Sequence, residues 1–317
     1  MPSLAIDCRG IEKSYTAVRA VQSLSLEVPH GAVYGILGPN GSGKTTSIRM
    51  MVGILAPDAG EIKIHGIPAG SKAKDCIGYL PEERGLYPKM KIIELLQFFA
   101  GLKGLRAAEG LARARQWLER VELGAWADKK VNDLSKGMQQ KIQFIVAVIS
   151  DPPVLILDEF SSGLDPVNAN LLNEILLEQR AKGKTILLST HRMEEAERLC
   201  DHVCLINQGR KVLDGRLADL RAAAGKSTVR VDYSGDAAIL RQAPGVLRAD
   251  DFGNYAELKL SPEAQSPKAV SALLRHLAPQ LQITRFEQLQ PTLNQIFLDT
   301  VGATALPPSP ASRVAAS

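Results

Sequence analysis

The chain has 317 residues, of which 45% are hydrophobic, and its formal net charge is +4. This length accommodates one large domain and a small one, and the apolar content is ordinary for a globular protein. The slight charge comes without a block of Lys and Arg, which argues against a nucleic-acid partner. The longest apolar run, residues 144–149, is far shorter than the ~20 residues of a membrane helix.

The cysteine spacing argues against a zinc-binding or disulfide-stabilised protein, and the first residues argue against a signal peptide. Cys8, Cys76, Cys200 and Cys204 form no C-x-x-C pair, so we expect reduced, buried thiols and neither a zinc site nor a disulfide framework. Residues 1–9 lack the basic start and apolar core of a signal peptide. If the protein serves transport, the membrane channel is expected to be another polypeptide.

In chain order, residues 4–8 and 24–28 alternate as antiparallel strands, and an apolar segment follows at residues 33–37. A complete G-x-x-x-x-G-K-T loop comes next, within Gly38, Pro39, Asn40, Gly41, Ser42, Gly43, Lys44, Thr45 and Thr46. Its backbone N–H groups are suited to hold phosphate oxygens, Lys44 to reach the β- and γ-phosphates, and Thr45 to ligate Mg²⁺. All fixed positions and both flanks fit, which disfavours a chance glycine-rich turn. The loop predicts binding of a nucleoside triphosphate.

Residues 61–65 predict another strand, and residues 88 to about 150 are helical in pattern. Within that region, Ser135 is a natural N-cap of an apolar-periodic helix, and Gly137 lies in its first turn. A capped helix end beside a glycine is a possible anion site. We therefore expect a helical lobe that carries Ser135 at its tip.

A second acidic site follows the lobe. The aliphatic run of residues 154–157 predicts a buried parallel strand, and Asp158 and Glu159 come directly after it. Asp158 is placed to hold Mg²⁺ through water, and Glu159 to orient or deprotonate an attacking water. The alternative, a solvated acidic strand end, is disfavoured on a chain that already has a phosphate loop.

Two more segments complete the series. Residues 162–166 read Ser-Gly-Leu-Asp-Pro, and a buried-strand candidate at residues 185–189 leads into Thr190 and His191. A short charged helix at 193–199 and a hairpin around Gln208-Gly209 follow. In order and spacing, the motifs over residues 4–220 resemble the nucleotide-binding subunit of an ATP-binding cassette (ABC) transporter.

The resemblance implies an α/β fold: a phosphate-loop NTPase cassette with a mixed-sheet core, an antiparallel β subdomain and a helical lobe. It implies that Tyr15 stacks on adenine, with core packing as the alternative, and that His191 contacts the γ-phosphate. It also implies that Ser135 and Gly137 contact ATP bound to a second copy of the chain, with Asp165 on the loop between copies. ATP and Mg²⁺ are the implied cofactors, and ATP hydrolysis is the implied activity.

The chain departs from the family pattern at two places. Lys136 and Met138 stand where the sequence after Ser135 commonly has Gly and Gln. Glu82 stands where the family commonly has a glutamine that links the Mg²⁺ site to the membrane partner. We expect Glu82 to approach the metal; the alternative is that it faces solvent or pairs with Arg84. The stretch around it resembles an exporter branch that includes sodium-extrusion and drug-resistance systems.

The resemblance implies a peripheral subunit at the cytoplasmic face of the cell membrane, bound to an integral membrane transporter. Residues 79–87 and 92–99 are expected to form the docking groove, with Leu86 and Tyr87 as anchors or, alternatively, as lobe packing. The competing hypothesis is an ABC ATPase that acts on nucleic acid or ribosomes. Such proteins usually carry two cassettes, a coiled-coil insert or zinc cysteines, and none is apparent in the sequence.

The remaining sequence predicts a small second domain. The cassette is expected over residues 1–224, with Ala and Gly at 222–225 as a linker. Residues 226–302 follow a β-α-β-β-α-β order, which predicts a ferredoxin-like fold, and then a last helix at 292–301. This domain resembles the accessory domain of the same exporter branch, with dimer contact, regulation or an inert extension as its possible roles. Residues 303–317 predict a disordered tail.

Overall fold

The computed structural model describes residues 4–16, 18–70, 72–83 and 85–305. The chain divides into two compact units, the first ending at Arg216 and the second beginning at Leu217. The strands are β1 Leu4–Tyr15, β2 Val18–Pro29, β3 Val33–Leu37, β4 Ala59–Ile64, β5 Ile67–Pro68, β6 Ile77–Leu80, β7 Val154–Asp158, β8 Thr185–Thr190, β9 His202–Asn207, β10 Arg210–Arg216, β11 Thr228–Ser234, β12 Val246–Asp251, β13 Tyr255–Leu260 and β14 Gln282–Leu289. The α-helices are α1 Lys44–Met51, α2 Ile92–Leu102, α3 Ala107–Arg120, α4 Lys136–Val148, α5 Pro166–Ala181, α6 Met193–Leu199, α7 Leu217–Ala224, α8 Ala238–Arg241, α9 Pro267–Leu277 and α10 Leu293–Ala305.

A mixed sheet in the order β10-β9-β3-β8-β7-β6 forms the centre of the first unit. Its strands β6, β7, β8, β3 and β9 are parallel, and β10 is antiparallel to β9. Strands β3, β7 and β8 are buried along their whole length, which explains their near-continuous apolar sequences. Because parallel strands end at the same edge of a sheet, the segments that follow β3, β7 and β8 meet there.

A second, antiparallel sheet in the order β2-β1-β4-β5 shares a hydrophobic core with the central sheet. Ile6 and Leu26 from the antiparallel sheet join Ile48 of α1 and Ile156 of β7 in this core. The predicted antiparallel subdomain beside the nucleotide-binding loop is thereby confirmed. Its strands are longer than the sequence indicated, since β1 and β2 form one long hairpin with several register shifts.

Helices α2, α3 and α4 pack together as the predicted helical lobe. Trp117 of α3 meets Phe144 of α4 edge to face, with ring centroids 6.4 Å apart. Helix α4 begins after Ser135, whose hydroxyl accepts the N–H of Met138 at 3.2 Å. This is the N-cap that the sequence predicts, and it fixes where the helix starts.

The second unit contains a four-stranded antiparallel sheet in the order β12-β13-β11-β14. With α8 after β11 and α9 after β13, this is the ferredoxin-like arrangement that the sequence predicts. Val229, Val231 and Leu258 of the sheet pack with Leu240 of α8 and Leu277 of α9. One face of this small sheet is therefore covered by its own helices.

Two segments of the second unit differ from expectation. Residues 222–224, expected in a linker, are the last turn of α7, and the helix α10 continues to Ala305, past the expected start of the tail. The rest of the predicted tail, residues 306–317, lies outside the described residues. None of the helices in the described ranges has the length and apolar character that a membrane span requires.

Candidate functional site

The phosphate-binding loop connects β3 to α1, and two of its glycines are required by shape. Gly38 and Gly43 have φ angles of +150° and +108°, which side-chain-bearing residues rarely adopt. A Cβ at Gly38 would lie 2.1 Å from the Ile206 carbonyl oxygen, and one at Gly43 would lie 2.4 Å from that of Ala20. The loop is thus pressed against β9 and β2, and only glycine fits at these positions.

Lys44 is held inside the loop. Its side chain is 6% exposed, and Nζ donates to the carbonyl oxygens of Gly38 and Pro39, at 2.8 and 3.1 Å. Nζ also lies 3.9 Å from Glu159 Oε1. Burial lowers the pKa of Lys44, and the carboxylates of Glu159, Asp158 and Glu82 oppose that shift. The ammonium group therefore lies in the electrostatic field of three carboxylates, of which Glu159 is the nearest.

Asp158 ends β7 and is wholly buried. The Ser189 hydroxyl donates to Asp158 Oδ1, while Oδ2 is buried without a hydrogen-bond partner among the described residues. Burial raises the pKa of Asp158, and the nearby hydroxyl groups of Ser189 and Thr45 oppose that shift. A buried carboxylate oxygen without a partner is unfavourable by itself, and it is suited to contact a cation or its bound water.

Glu159 follows in a strained backbone conformation, with φ at +50°. A left-handed conformation at a residue other than glycine costs about 1–3 kcal/mol and is typical of functional sites. The Glu159 N–H points to Ser189, 3.2 Å from both its carbonyl oxygen and its hydroxyl. His191 Nδ1 lies 3.0 and 2.9 Å from the two Glu159 carboxylate oxygens. The predicted carboxylate and histidine therefore meet directly.

Glu82 contacts the loop at Thr45. The Thr45 hydroxyl donates to Glu82 Oε2 at 3.4 Å, a long hydrogen bond. Although Glu82 is exposed, it lines a cavity of about 190 Å³ together with Ala20, Asn40, Gly41, Gly43, Lys44, Thr45, Thr46 and Glu159. Its side chain is thus directed to the residue that the loop motif predicts as a Mg²⁺ ligand. The alternative partner, Arg84, lies outside the described residues.

Among the predicted nucleotide-binding residues outside the phosphate-binding loop, Tyr15, Ser135 and Gly137 do not line this cavity. Tyr15, at the end of β1, is 46% exposed, so core packing does not account for it. Ser135 is exposed at the tip of the lobe, and a Cβ at Gly137 would lie 3.5 Å from Leu164. Asp165 caps α5 by accepting the N–H groups of Val167 and Asn168, and hydrogen bonds to Asn168 hold its pKa below the ordinary value.

The sequence did not indicate two residues that support the site. Ser189 contacts both acidic residues, as described above, and Gln140 of α4 donates to the carbonyl oxygen of Phe160, the residue after Glu159, at 2.9 Å. Gln140 is 2% exposed, and no sequence signal distinguishes it, because other polar residues of α4 (Gln139, Lys141 and Gln143) surround it in the chain. No local pattern marks Ser189, because its partners Glu159 and Asp158 lie 30 and 31 residues earlier in the chain.

These features together define a class. A phosphate-loop NTPase has a glycine-rich loop between a buried strand and a helix, and acidic residues at the end of a neighbouring parallel strand. Both features are present at this site. The antiparallel sheet and helical lobe around it are those of an ATP-binding cassette.

Comparisons with known proteins give the family. Residues 21–162 match the family described as ABC transporter, and residues 215–301 match the C-terminal domain of DrrA1-3-like ATP-binding proteins. The uncharacterized ABC transporter ATP-binding protein YhaQ of Bacillus subtilis is 40% identical over 293 residues, covering 92% of this chain and 97% of that protein. The Nod factor export ATP-binding protein I of Paraburkholderia xenovorans is 41% identical over 258 residues, or 80% of this chain and 85% of that protein.

A solved structure of an ABC transporter ATP-binding subunit is 33% identical, with a TM-score of 0.65. The match covers 69% of this chain and 93% of that one. The chain therefore belongs to the ATP-binding subunits of ABC transporters, with a DrrA-like C-terminal domain. It is an ATPase.

Proposed function

We propose that this subunit works as a dimer at the cytoplasmic face of a membrane, where its ATP hydrolysis drives export through a separate membrane subunit. The observation that supports it most is the convergence of Lys44, Asp158, Glu159 and His191 at the phosphate-binding loop. Export is supported by similarity to the Nod factor export protein and by the DrrA-like domain. The competing action on nucleic acid or ribosomes has no such support.

Mg²⁺ fits the residues of the site. The cation prefers oxygen ligands and is usually bound by one or two carboxylates together with substrate phosphates. Thr45, Asp158 and Glu82 supply such oxygens, and Asp158 Oδ2 is buried without a partner in the described residues. The ion would neutralise phosphate charge when bound. Lys44 would share that task, since its ammonium group reaches into the same cavity.

Hydrolysis is assigned to the pair of Glu159 and His191. Glu159 would orient a water toward the γ-phosphate and accept its proton, because it is the carboxylate nearest to Lys44 in the loop. His191 would hold the Glu159 carboxylate in place through the contact at its Nδ1. Ser189 would hold both acidic residues in place, because its hydroxyl accepts the Glu159 N–H and donates to the Asp158 carboxylate.

Dimerisation is proposed because two predicted nucleotide-binding residues lie on the helical lobe and away from the phosphate-binding loop. Ser135 and Gly137 lie on the lobe, outside the loop cavity, where a second copy could present its own nucleotide. Tyr15 is exposed, as a stacking platform for adenine must be. Two chains would then close around two ATP molecules, each held by the loop of one copy and the lobe of the other.

The membrane subunit would dock in a groove of about 350 Å³ between α1 and the lobe. Ile54, Tyr79, Phe99 and Leu102 line it, and Ile54 and Leu102 are 61% and 67% exposed. A patch of large, solvent-exposed apolar side chains commonly marks a surface that a binding partner covers. Tyr87, one of the predicted anchors, stacks edge to face on Phe98 with centroids 5.7 Å apart, close to the same surface.

Paired substitutions test this surface. Ile54→Asp with Leu102→Asp should release the subunit from membranes, because burying two carboxylates in an apolar contact is unfavourable. ATPase activity of the purified protein should persist, since neither residue lines the loop cavity. Leu177→Asp, at an exposed position of α5, is the matched control and should leave membrane association unchanged. Retained membrane association of the double variant would contradict the docking surface.

A further inference from the structure

Helix α4 carries a buried glutamine that binds the segment around Glu82. Gln143 is 3% exposed, and its Nε2 donates to the carbonyl oxygens of Pro81 and Glu83, at 2.9 and 3.2 Å. These carbonyls lie on either side of Glu82, so one amide fixes the backbone both before and after it. Glu82 in turn accepts the hydrogen bond from Thr45.

The carbonyl oxygen of the same side-chain amide indicates that glutamine at position 143 is not optimal for stability. Gln143 Oε1 is buried and has no hydrogen-bond partner among the described residues. An unpaired buried acceptor is unfavourable, and an apolar residue of similar volume would fill the same space without it. The neighbours Ile142 and Phe144 are wholly buried apolar residues, as expected for this helix. Gln143 is therefore best explained by what its N–H groups hold.

We propose that Gln143 is a positioning residue that holds Glu82 on the metal side of the nucleotide site. This inference rests on the proposed role of Glu82 as a Mg²⁺ ligand. It also links two parts of the proposed dimer, because Gln143 and the cap residue Ser135 belong to one helix. A shift of α4 on contact with the second nucleotide would move the segment that carries Glu82.

The test is a Mg²⁺ titration of ATPase activity at saturating ATP, paired with a calorimetric titration of Mg²⁺ into the protein saturated with a non-hydrolysable ATP analogue. Gln143→Met keeps the volume and removes both hydrogen bonds, so Glu82 would no longer be held beside Thr45. We expect the Mg²⁺ concentration for half-maximal activity and the Mg²⁺ dissociation constant each to rise about fivefold, which corresponds to the net free energy of about one hydrogen bond. Gln143→Leu serves the same purpose should the Met variant not fold.

Lys141→Met is the matched control on the same helix. Lys141 is also buried, and its Nζ donates to the Val121 carbonyl oxygen at 3.0 Å, inside the lobe. Its loss should lower the melting temperature without changing the Mg²⁺ requirement. An equal Mg²⁺ shift in Lys141→Met would show that general weakening of the lobe is the cause and would overturn the proposal.

A double-mutant cycle separates this proposal from the role of Glu82 itself. In a Glu82→Ala background, Gln143→Met should add no further shift, because the side chain that it positions is gone. Additive shifts would overturn the proposal. A changed Mg²⁺ curve for Glu82→Ala with an unchanged one for Gln143→Met would overturn the positioning role alone. An unchanged curve for Glu82→Ala would overturn the metal role of Glu82 as well.

Discussion

Lys44→Ala should weaken ATP binding because it removes a buried cation that lies in the field of three carboxylates. At the observed 3.9 Å from Glu159, two unit charges interact by about 4 kcal/mol at an effective dielectric constant of about 20. That attraction is largely offset by the burial that lowers the pKa of Lys44. Bound phosphate forms a charge-assisted hydrogen bond with Lys44 that is worth about 1.5–3 kcal/mol. The Lys44→Ala variant loses this contribution to the free energy of ATP binding.

The expected loss of ATP affinity is therefore about tenfold to a hundredfold. ADP should lose less, because the γ-phosphate contact is absent in both proteins. Calorimetric titration with ADP and with a non-hydrolysable ATP analogue measures both values. In the free protein, Lys44→Ala should also lower the melting temperature, since Asp158, Glu159 and Glu82 are left without their shared cation.

Lys184→Ala is the matched control for this measurement. Lys184 is also a buried lysine with a carboxylate partner, Asp151, but it does not line the loop cavity. It should lose stability and keep its affinity for the analogue. An unchanged affinity in Lys44→Ala, or an equal loss in Lys184→Ala, would refute the assignment of Lys44 to the phosphates.

Two further predictions concern the metal and the cysteines. Glu82→Gln replaces a charged Mg²⁺ ligand with a neutral one, so the Mg²⁺ concentration for half-maximal ATPase should rise while ATP affinity changes little; superimposable Mg²⁺ curves would place Glu82 outside the metal's reach. Burial raises the pKa of Cys8 and Cys200 and raises that of Cys204 to about 12, so near neutral pH a native alkylation experiment should modify only the partly exposed Cys76. Mass spectrometry that finds a second native thiol modified as fast would contradict this.

The loop, the acidic strand end and the cassette architecture could be predicted because each depends on local sequence. A buried strand has a short apolar run, and the segments that follow parallel strands meet at one edge. The hairpin of β1 and β2 was underestimated for a physical reason. Register shifts between Cys8 and Ile11, and again near Lys13, interrupt the alternation of buried and exposed residues on which strand recognition depends.

The contacts that position the site could not be predicted in the same way. Gln143 and Pro81 are far apart in the chain, and so are Ser189 and Asp158, and no local pattern pairs them. The left-handed conformation of Glu159 likewise has no sequence signal, and its N–H contact with Ser189 joins residues that are distant in the chain. Residues 222–224 were expected in a linker, although alanine favours helix and Gly225 is well placed to end one.

The central claim is that Glu159 catalyses ATP hydrolysis in a site formed by two chains. The most direct test is the mass of the Glu159→Gln variant in solution with ATP and Mg²⁺. The amide keeps the shape of the carboxylate but cannot accept a proton from water, so ATP should bind and persist. Light scattering and nucleotide analysis should then show a stable dimer with one ATP per chain and no turnover. A monomer that still hydrolyses ATP would contradict both the catalytic role of Glu159 and the two-chain site.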